Sequence, residues 1–216
     1  MNSPSPIDLP GGLARSISRE ELANLPINRY QGVVHLVTTS HELAQAMTDI
    51  RQERVAGFDT ETRPSFRKGE VYLPCLAQVA TARAVYLFPL RHTEMFPALM
   101  ELLSEPRHAK AGVALADDLR SLKKLFPFTE KHIIDLGKVA RRCGLEQTGL
   151  RNLAAIFLGF RIPKGARTSN WAAPRLTEAQ VTYAATDAWV CRELYLCMEK
   201  LGLLQSASSA QDSHRG

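Results

Sequence analysis

Five residues of this sequence have the types and the spacing to do chemistry together. Asp59 and Glu61 stand two apart in AGFDTET (56–62), at the end of a run that begins apolar with Val55, Ala56 and Phe58. Side chains alternate along a strand, so the two carboxylates share one face while Phe58 and Thr60 point to the other. Two like charges a few ångströms apart repel by roughly 4 kcal/mol in a moderately screened site. The pair therefore either stands in open water or shares a cation. Asp118, in ALADDLRSLKKLF (114–126), lies on one helical stripe with Leu122 and Leu125, whereas Asp117 shares a stripe with Arg120, Ser121 and Lys124. Asp118 thus belongs at the inward edge of a helix N-terminus, where the helix dipole tolerates negative charge. Asp187, with Tyr183 one turn before it, interrupts the apolar stripe of RLTEAQVTYAATDAWVCRELYLCMEKLGLL (175–204). A buried carboxylate without a partner costs several kcal/mol or takes up a proton.

Each acid has a plain alternative when taken alone. Asp118 caps its helix, or Tyr183 and Asp187 form a hydrogen-bonded structural pair. Taken together, Asp59, Glu61, Asp118 and Asp187 put acids on inward faces of three separate segments. If they converge, their repulsion calls for one or two hard cations. Oxygen-only ligation suits Mg²⁺ or Mn²⁺, and with no His in the set zinc is a poor match.

The elements that must position these residues are legible in outline. Strands are expected over 32–39, 55–60, 75–81, 84–90 and 108–115. Thr81-Ala82-Arg83 is short enough to close a hairpin. SHELAQAMTDIRQE (40–53), with Ser40 as N-cap and apolar Leu43, Ala46, Met47 and Ile50, reads as a helix, and another falls near 93–104. Beyond residue 115 the chain reads mainly helical. Thr177 and Gln180 fit a capping box that starts the last helix near Glu178. Its inward stripe runs Leu176, Ala179, Tyr183, Asp187, Val190, Leu194, Cys197 or Met198, and Leu201. Asp135 is read as the cap of a helix beginning at Leu136 rather than as a ligand. Early strands and later helices predict an α/β fold with helices on both faces of one sheet.

Residues 1–28, rich in Pro, Ser and Gly, read as a flexible arm with a short helical piece near 19–23, residues 29–204 as the domain, and 205–216 as a disordered tail. An excess of 27 Lys+Arg over 22 Asp+Glu gives a net charge of +5, compatible with a polyanionic partner. Cys75, Cys143, Cys191 and Cys197 form no C-x-x-C pair and read as buried thiols. The N-terminus lacks the basic start and apolar stretch of a signal peptide, and no apolar run approaches a membrane span. A cytoplasmic protein without a membrane partner is expected.

FDTE on a strand, ADDLRSL on a helix and YAATD on a late helix resemble the three motifs of the DEDDy 3′–5′ exonucleases. The segment LGFRIPKGARTSNWAAPRLTEAQVTYAATDAW is similar to the matching region of the ribonuclease D and Werner-syndrome exonuclease branch, with its Ser-Asn-Trp followed by Leu-Thr. The likeness covers roughly residues 32–203. No motif is specific alone, but all three occur in order. The resemblance implies a ribonuclease H-like fold, a mixed five- to six-stranded sheet with helices on both faces. It implies that Asp59, Glu61, Asp118 and Asp187 hold two divalent cations, Mg²⁺ or Mn²⁺, with Asp59 bridging both, and that Tyr183 orients the attacking water. It implies hydrolysis of the terminal phosphodiester at a nucleic-acid 3′ end, DNA or RNA, releasing 5′-mononucleotides. Ribonuclease D proper adds helical domains and the Werner protein a helicase. This chain carries neither after Leu203, and a stand-alone exonuclease domain is expected.

Candidate nucleic-acid contacts follow from position. Thr60, Arg63, Phe66, Arg67 and Lys68 lie beside the first acids, and Lys164 and Arg167 precede Ser-Asn-Trp. The cations either meet phosphate or are ordinary surface charges, and Phe66 either stacks on a base or tucks into the domain. Asn170 and Trp171 match the family pattern, and Trp171 is expected to support the site structurally. The rival readings are a catalytically silent nucleic-acid-binding module with the same fold, and a two-metal hydrolase of free nucleotides. Neither the choice of DNA or RNA, nor strandedness, nor oligomeric state is written in these residues.

Overall fold

The alternating apolar runs assemble into one mixed sheet. The computed structural model describes residues 12–65, 70–166 and 168–204. In chain order these form α1 (Arg19–Asn24), β1 (Val33–Leu36), α2 (Ser40–Ile50), β2 (Val55–Thr62), β3 (Pro74–Ala80) and β4 (Ala84–Pro89). A 3-10 turn (Thr93–Met95) leads into α3 (Phe96–Ser104), then β5 (Ala109–Gly112), α4 (Ala116–Leu122), β6 (Ile133–Asp135) and α5 (Leu136–Arg142). The series ends with α6 (Leu150–Leu153), a π-helical turn (Ala154–Leu158) and α7 (Glu178–Lys200). The strand order is β1-β4-β3-β2-β5-β6. β3 pairs antiparallel with β2 and β4, while β1–β4, β2–β5 and β5–β6 are parallel. β2, which carries Asp59 and Glu61, is therefore interior to the sheet.

Alternation on β2 sends its residues to two cores. Phe58 joins Val79 and Phe88 beneath α2, α3 and α4, through Met47, Ile50, Leu99, Leu103, Leu119 and Leu122. Fully burying a side chain such as Phe58 contributes about 1.5–3 kcal/mol. On the opposite face Val55, Ala109 and Ala111 meet Leu136, Val139, Leu153, Val190 and Leu194 of α5, α6 and α7. Farther along that face, Ala184, Ala185 and Ala188 of α7 and Trp171 cover Leu76, Ala80, Val85 and Leu87. Helices thus lie on both faces, as expected.

Several boundaries differ from the sequence reading. Thr39, not Ser40, caps α2, because its hydroxyl accepts from the Glu42 N–H while Glu42 reaches back to the Thr39 N–H. β5 stops at Gly112 because the chain turns at Ala114, whose φ is +60°. The region after it contains β6, a three-residue edge strand that was not expected. α7 is covered nearly all round from Ala184 to Ala188, so its buried set is wider than one stripe, while Ala179 is exposed. Cys75 and Cys197 are only half-buried. Over residues 15–28 the segment read as a flexible arm is laced to the body. Asn28 donates to the Arg161 carbonyl, Arg161 donates back to that of Pro26, and Glu146 donates to that of Arg15. No helix among the described residues is long and apolar enough to cross a membrane.

Candidate active site

β2 delivers two acids and α7 the third, and a glycine sets their separation. A Cβ built on Gly57 would lie 2.0 Å from the Ala188 carbonyl oxygen and 2.8 Å from the Arg192 nitrogen. The α7 backbone therefore rests directly on bare β2 backbone. Glycine weakens a strand interior but admits this approach, and Ala184, Ala185 and Ala188 keep the rest of the contact thin. Asp187 is thereby brought beside Asp59 and Glu61, with carboxylate oxygens of all three within 4.8 Å of one another.

Asp118 stands at one remove from that group. The Thr60 hydroxyl, on the opposite face of β2, donates to its Oδ1 at 2.9 Å. Its charge still raises the pKa of Asp59. The launch of α4 is held by Asp135, whose Oδ1 accepts from the N–H groups of Ala114 (3.1 Å), Gly137 (3.0 Å) and Lys138 (3.2 Å). Asp135 is thus the expected cap of α5 and also the brace of the turn that places Asp118.

Burial and crowding push these carboxyl groups upward. Asp59 is held well above the usual carboxylate range by burial, then by the charges of Asp187 and Asp118. Asp187 is pushed up to about 7 by burial, against the opposing influence of the Tyr183 hydroxyl and the Arg151 charge. Asp118 is also raised by burial, with the Thr60 hydroxyl opposing. The Tyr183 phenol is driven far up by burial, then by Asp187 and Glu61, so it stays protonated. A convergent set of oxygen donors with no His, Cys or amine among them fits a hard divalent cation.

Tyr183 is wedged between two neighbours. A Cβ on Gly165 would fall 2.2 Å from the Tyr183 ring, so the segment before Ser-Asn-Trp lies flat against it. Trp171, buried, packs on the ring with centroids 6.0 Å apart, in the supporting role expected of it. The other candidates fare unevenly. Thr60 is buried and engaged with Asp118, which takes its side chain out of reach of nucleic acid. Arg63 is exposed, with its guanidinium 3.5 Å from the centroid of the Tyr72 ring. Lys164 is exposed next to Gly165. Phe66, Arg67, Lys68 and Arg167 lie outside the described residues. Gly57 and Gly165 escaped the sequence reading, although a glycine inside the strand and an alanine-rich stretch on the late helix were visible signs of close approach.

A family model described as 3′–5′ exonuclease matches residues 34–202. The chain belongs to this family. The ribonuclease D of Gluconacetobacter diazotrophicus is 33% identical over 171 residues, covering 77% of this chain and 42% of that protein. The bifunctional 3′–5′ exonuclease/ATP-dependent helicase WRN of Mus musculus is 29% identical over 190 residues, covering 83% of this chain and 14% of that protein. This chain thus spans less than half the length of these relatives. Among solved structures, the Nibbler EXO domain of Aedes aegypti superposes with a TM-score of 0.72 at 24% identity, covering 81% of this chain and 92% of that one. The fold of this 3′–5′ exonuclease family member is accordingly the ribonuclease H-like one that the motifs implied.

Proposed function

We propose that this chain is a metal-dependent 3′–5′ exonuclease that removes 5′-mononucleotides from a DNA or RNA end. The observation that carries the reading is the convergence of Asp59, Glu61 and Asp187 within 4.8 Å on the face where β2 meets α7. Those three residues, with Asp118 alongside, would hold one or two Mg²⁺ or Mn²⁺ ions. Bound there, such ions supply an activated water and charge stabilisation for the leaving 3′-oxygen. Tyr183, kept protonated by its surroundings, offers a fixed hydroxyl donor that orients the attacking water. Gly165 and Trp171 hold that phenol in place. Arg63 and Lys164, both exposed, supply cations for the phosphate backbone of the entering strand. Membership of the 3′–5′ exonuclease family supports the same reading, as does likeness to a protein named ribonuclease D.

The test is gel-resolved digestion of 5′-labelled single-stranded DNA and RNA oligonucleotides with Mg²⁺, Mn²⁺ or EDTA. The expected result is a metal-dependent ladder that shortens from the 3′ end and vanishes in EDTA. Binding of the oligonucleotides without cleavage in either metal would replace this reading with the silent binding module.

A further inference from the structure

Gln78 is fully buried at 0% exposure, and neither its amide nitrogen nor its amide oxygen has a hydrogen-bond partner. Trp171, 2% exposed, leaves its indole nitrogen in the same condition. Each such group left unsatisfied costs about 1–3 kcal/mol, and buried polar groups are ordinarily paired. Their placement points to the partners. Gln78 stands directly opposite Asp59 in the β2–β3 register and opposite Leu87 in the β3–β4 register. Residues opposite one another share a face, with Cβ atoms about 4.5–5.5 Å apart. Trp171 packs in the cluster that holds Leu76, Ala80 and Leu87, the side chains that flank Gln78 on this face. Gln78 is thus bordered by Asp59 on one side and roofed by the cluster around Trp171.

The chemistry of the orphaned atoms is complementary. The indole offers one donor, the carboxamide an acceptor and a donor, and a carboxylate accepts. We propose that Trp171, Gln78 and Asp59 form a buried relay, indole N–H to amide oxygen and amide N–H to carboxylate, that fixes the orientation of Asp59 toward its cation. Gln78 and Trp171 are then positioning residues that touch neither substrate nor metal. Outer partners of this kind set the direction of a ligating carboxylate, and their loss lowers metal affinity by about 10–100-fold. The relay also explains why the Ser-Asn-Trp segment is packed so tightly. One stretch of chain would set the Tyr183 phenol through Gly165 and the Asp59 carboxylate through Trp171. The inference rests on the reading of Asp59 as a metal ligand, but not on cleavage of any substrate.

The test uses the whole chain with Gln78→Met, which keeps volume, Trp171→Phe, which keeps an aromatic ring, and the double variant. Mn²⁺ affinity is measured by calorimetry, and thermal unfolding is followed in EDTA. Each single variant should lose about tenfold or more in Mn²⁺ affinity, and the double variant no more than the worse single one. The metal-free unfolding temperature should hold or rise, since an unpaired buried group is removed. Unchanged Mn²⁺ affinity in both variants overturns the relay, and so do losses that simply add. A readout free of metal completes it: in ¹⁵N-labelled protein the Trp171 indole resonance should move in Gln78→Met, and a stationary resonance also overturns the proposal. Should Gln78→Met not fold, Trp171→Phe decides through the same affinity. Wild-type protein that binds Mn²⁺ but cleaves no oligonucleotide would defeat the nuclease reading and leave the relay to these measurements.

Discussion

Asp49 and Asp187 are buried to the same degree, 8% and 7% exposed, yet the molecule treats them in opposite ways. Around Asp49 it supplies everything a buried carboxylate needs. The hydroxyls of Thr81 and Tyr86 donate to Oδ2 at 2.7 and 3.0 Å, and the Arg83 guanidinium donates to Oδ1 at 2.6 Å. Around Asp187 it places two further acids, Asp59 and Glu61, within 4.8 Å. The first arrangement is complete by itself and belongs to structure. The second is finished only by something from outside, and that is the mark of a binding site for a cation.

Substituting each acid by its amide should separate the two regions most sharply. Asp187→Asn should lower nuclease kcat/KM by about 10³-fold or more, given the several kcal/mol that metal ions contribute to such a transition state. It should also raise the unfolding temperature of the metal-free protein, because one member of a repelling set is gone. Activity near wild type in this variant would sink the site assignment. Asp49→Asn should do the reverse. Stability should drop by about 1–3 kcal/mol, or roughly 2–4 °C in Tm per kcal/mol for a domain of this size, with cleavage unchanged.

The smallest effect, and the subtlest, is in pH. The folded-state pKa of Asp187 is raised to about 7, and that of Asp59 is raised as well. The folded protein therefore holds protons that the unfolded chain has already released, and stability must fall as pH rises across that window. In EDTA the unfolding temperature should decline from about pH 4, where an unperturbed Asp titrates, to about pH 7, and level off above. With Mn²⁺ the trend should invert, since the metal requires the deprotonated carboxylates. A metal-free Tm that climbs through the same interval would contradict the crowding of these acids.

Much of this was legible in the sequence, for physical reasons that differ by element. The β3–β4 hairpin followed from a short break between two β-rich runs, and α7 announced itself through Thr177 and Gln180. The opposed directions of Phe58 and Asp59 followed from strand alternation alone. β6 was missed because three half-buried residues at a sheet edge carry no period to read. The outlying position of Asp118 was missed because helical phase gives a face, not a distance. Gln78 read as an ordinary polar interruption of a strand, since whether an amide is satisfied depends on what lies opposite it. Gly57 shows the limit most clearly. Its identity was on the page, but the helix that rests on it comes from the far end of the chain.

That same contact has a consequence in time. Closing β2 against α7 joins the early and late parts of the domain, the kind of long-range pairing that forms late in folding. A growing chain emerging from the ribosome displays Asp59, Glu61 and Asp118 long before Asp187 is made. It therefore cannot close its site, or capture its cation there, until nearly all of the domain has been synthesised, so any hydrolytic activity switches on only as the protein is finished.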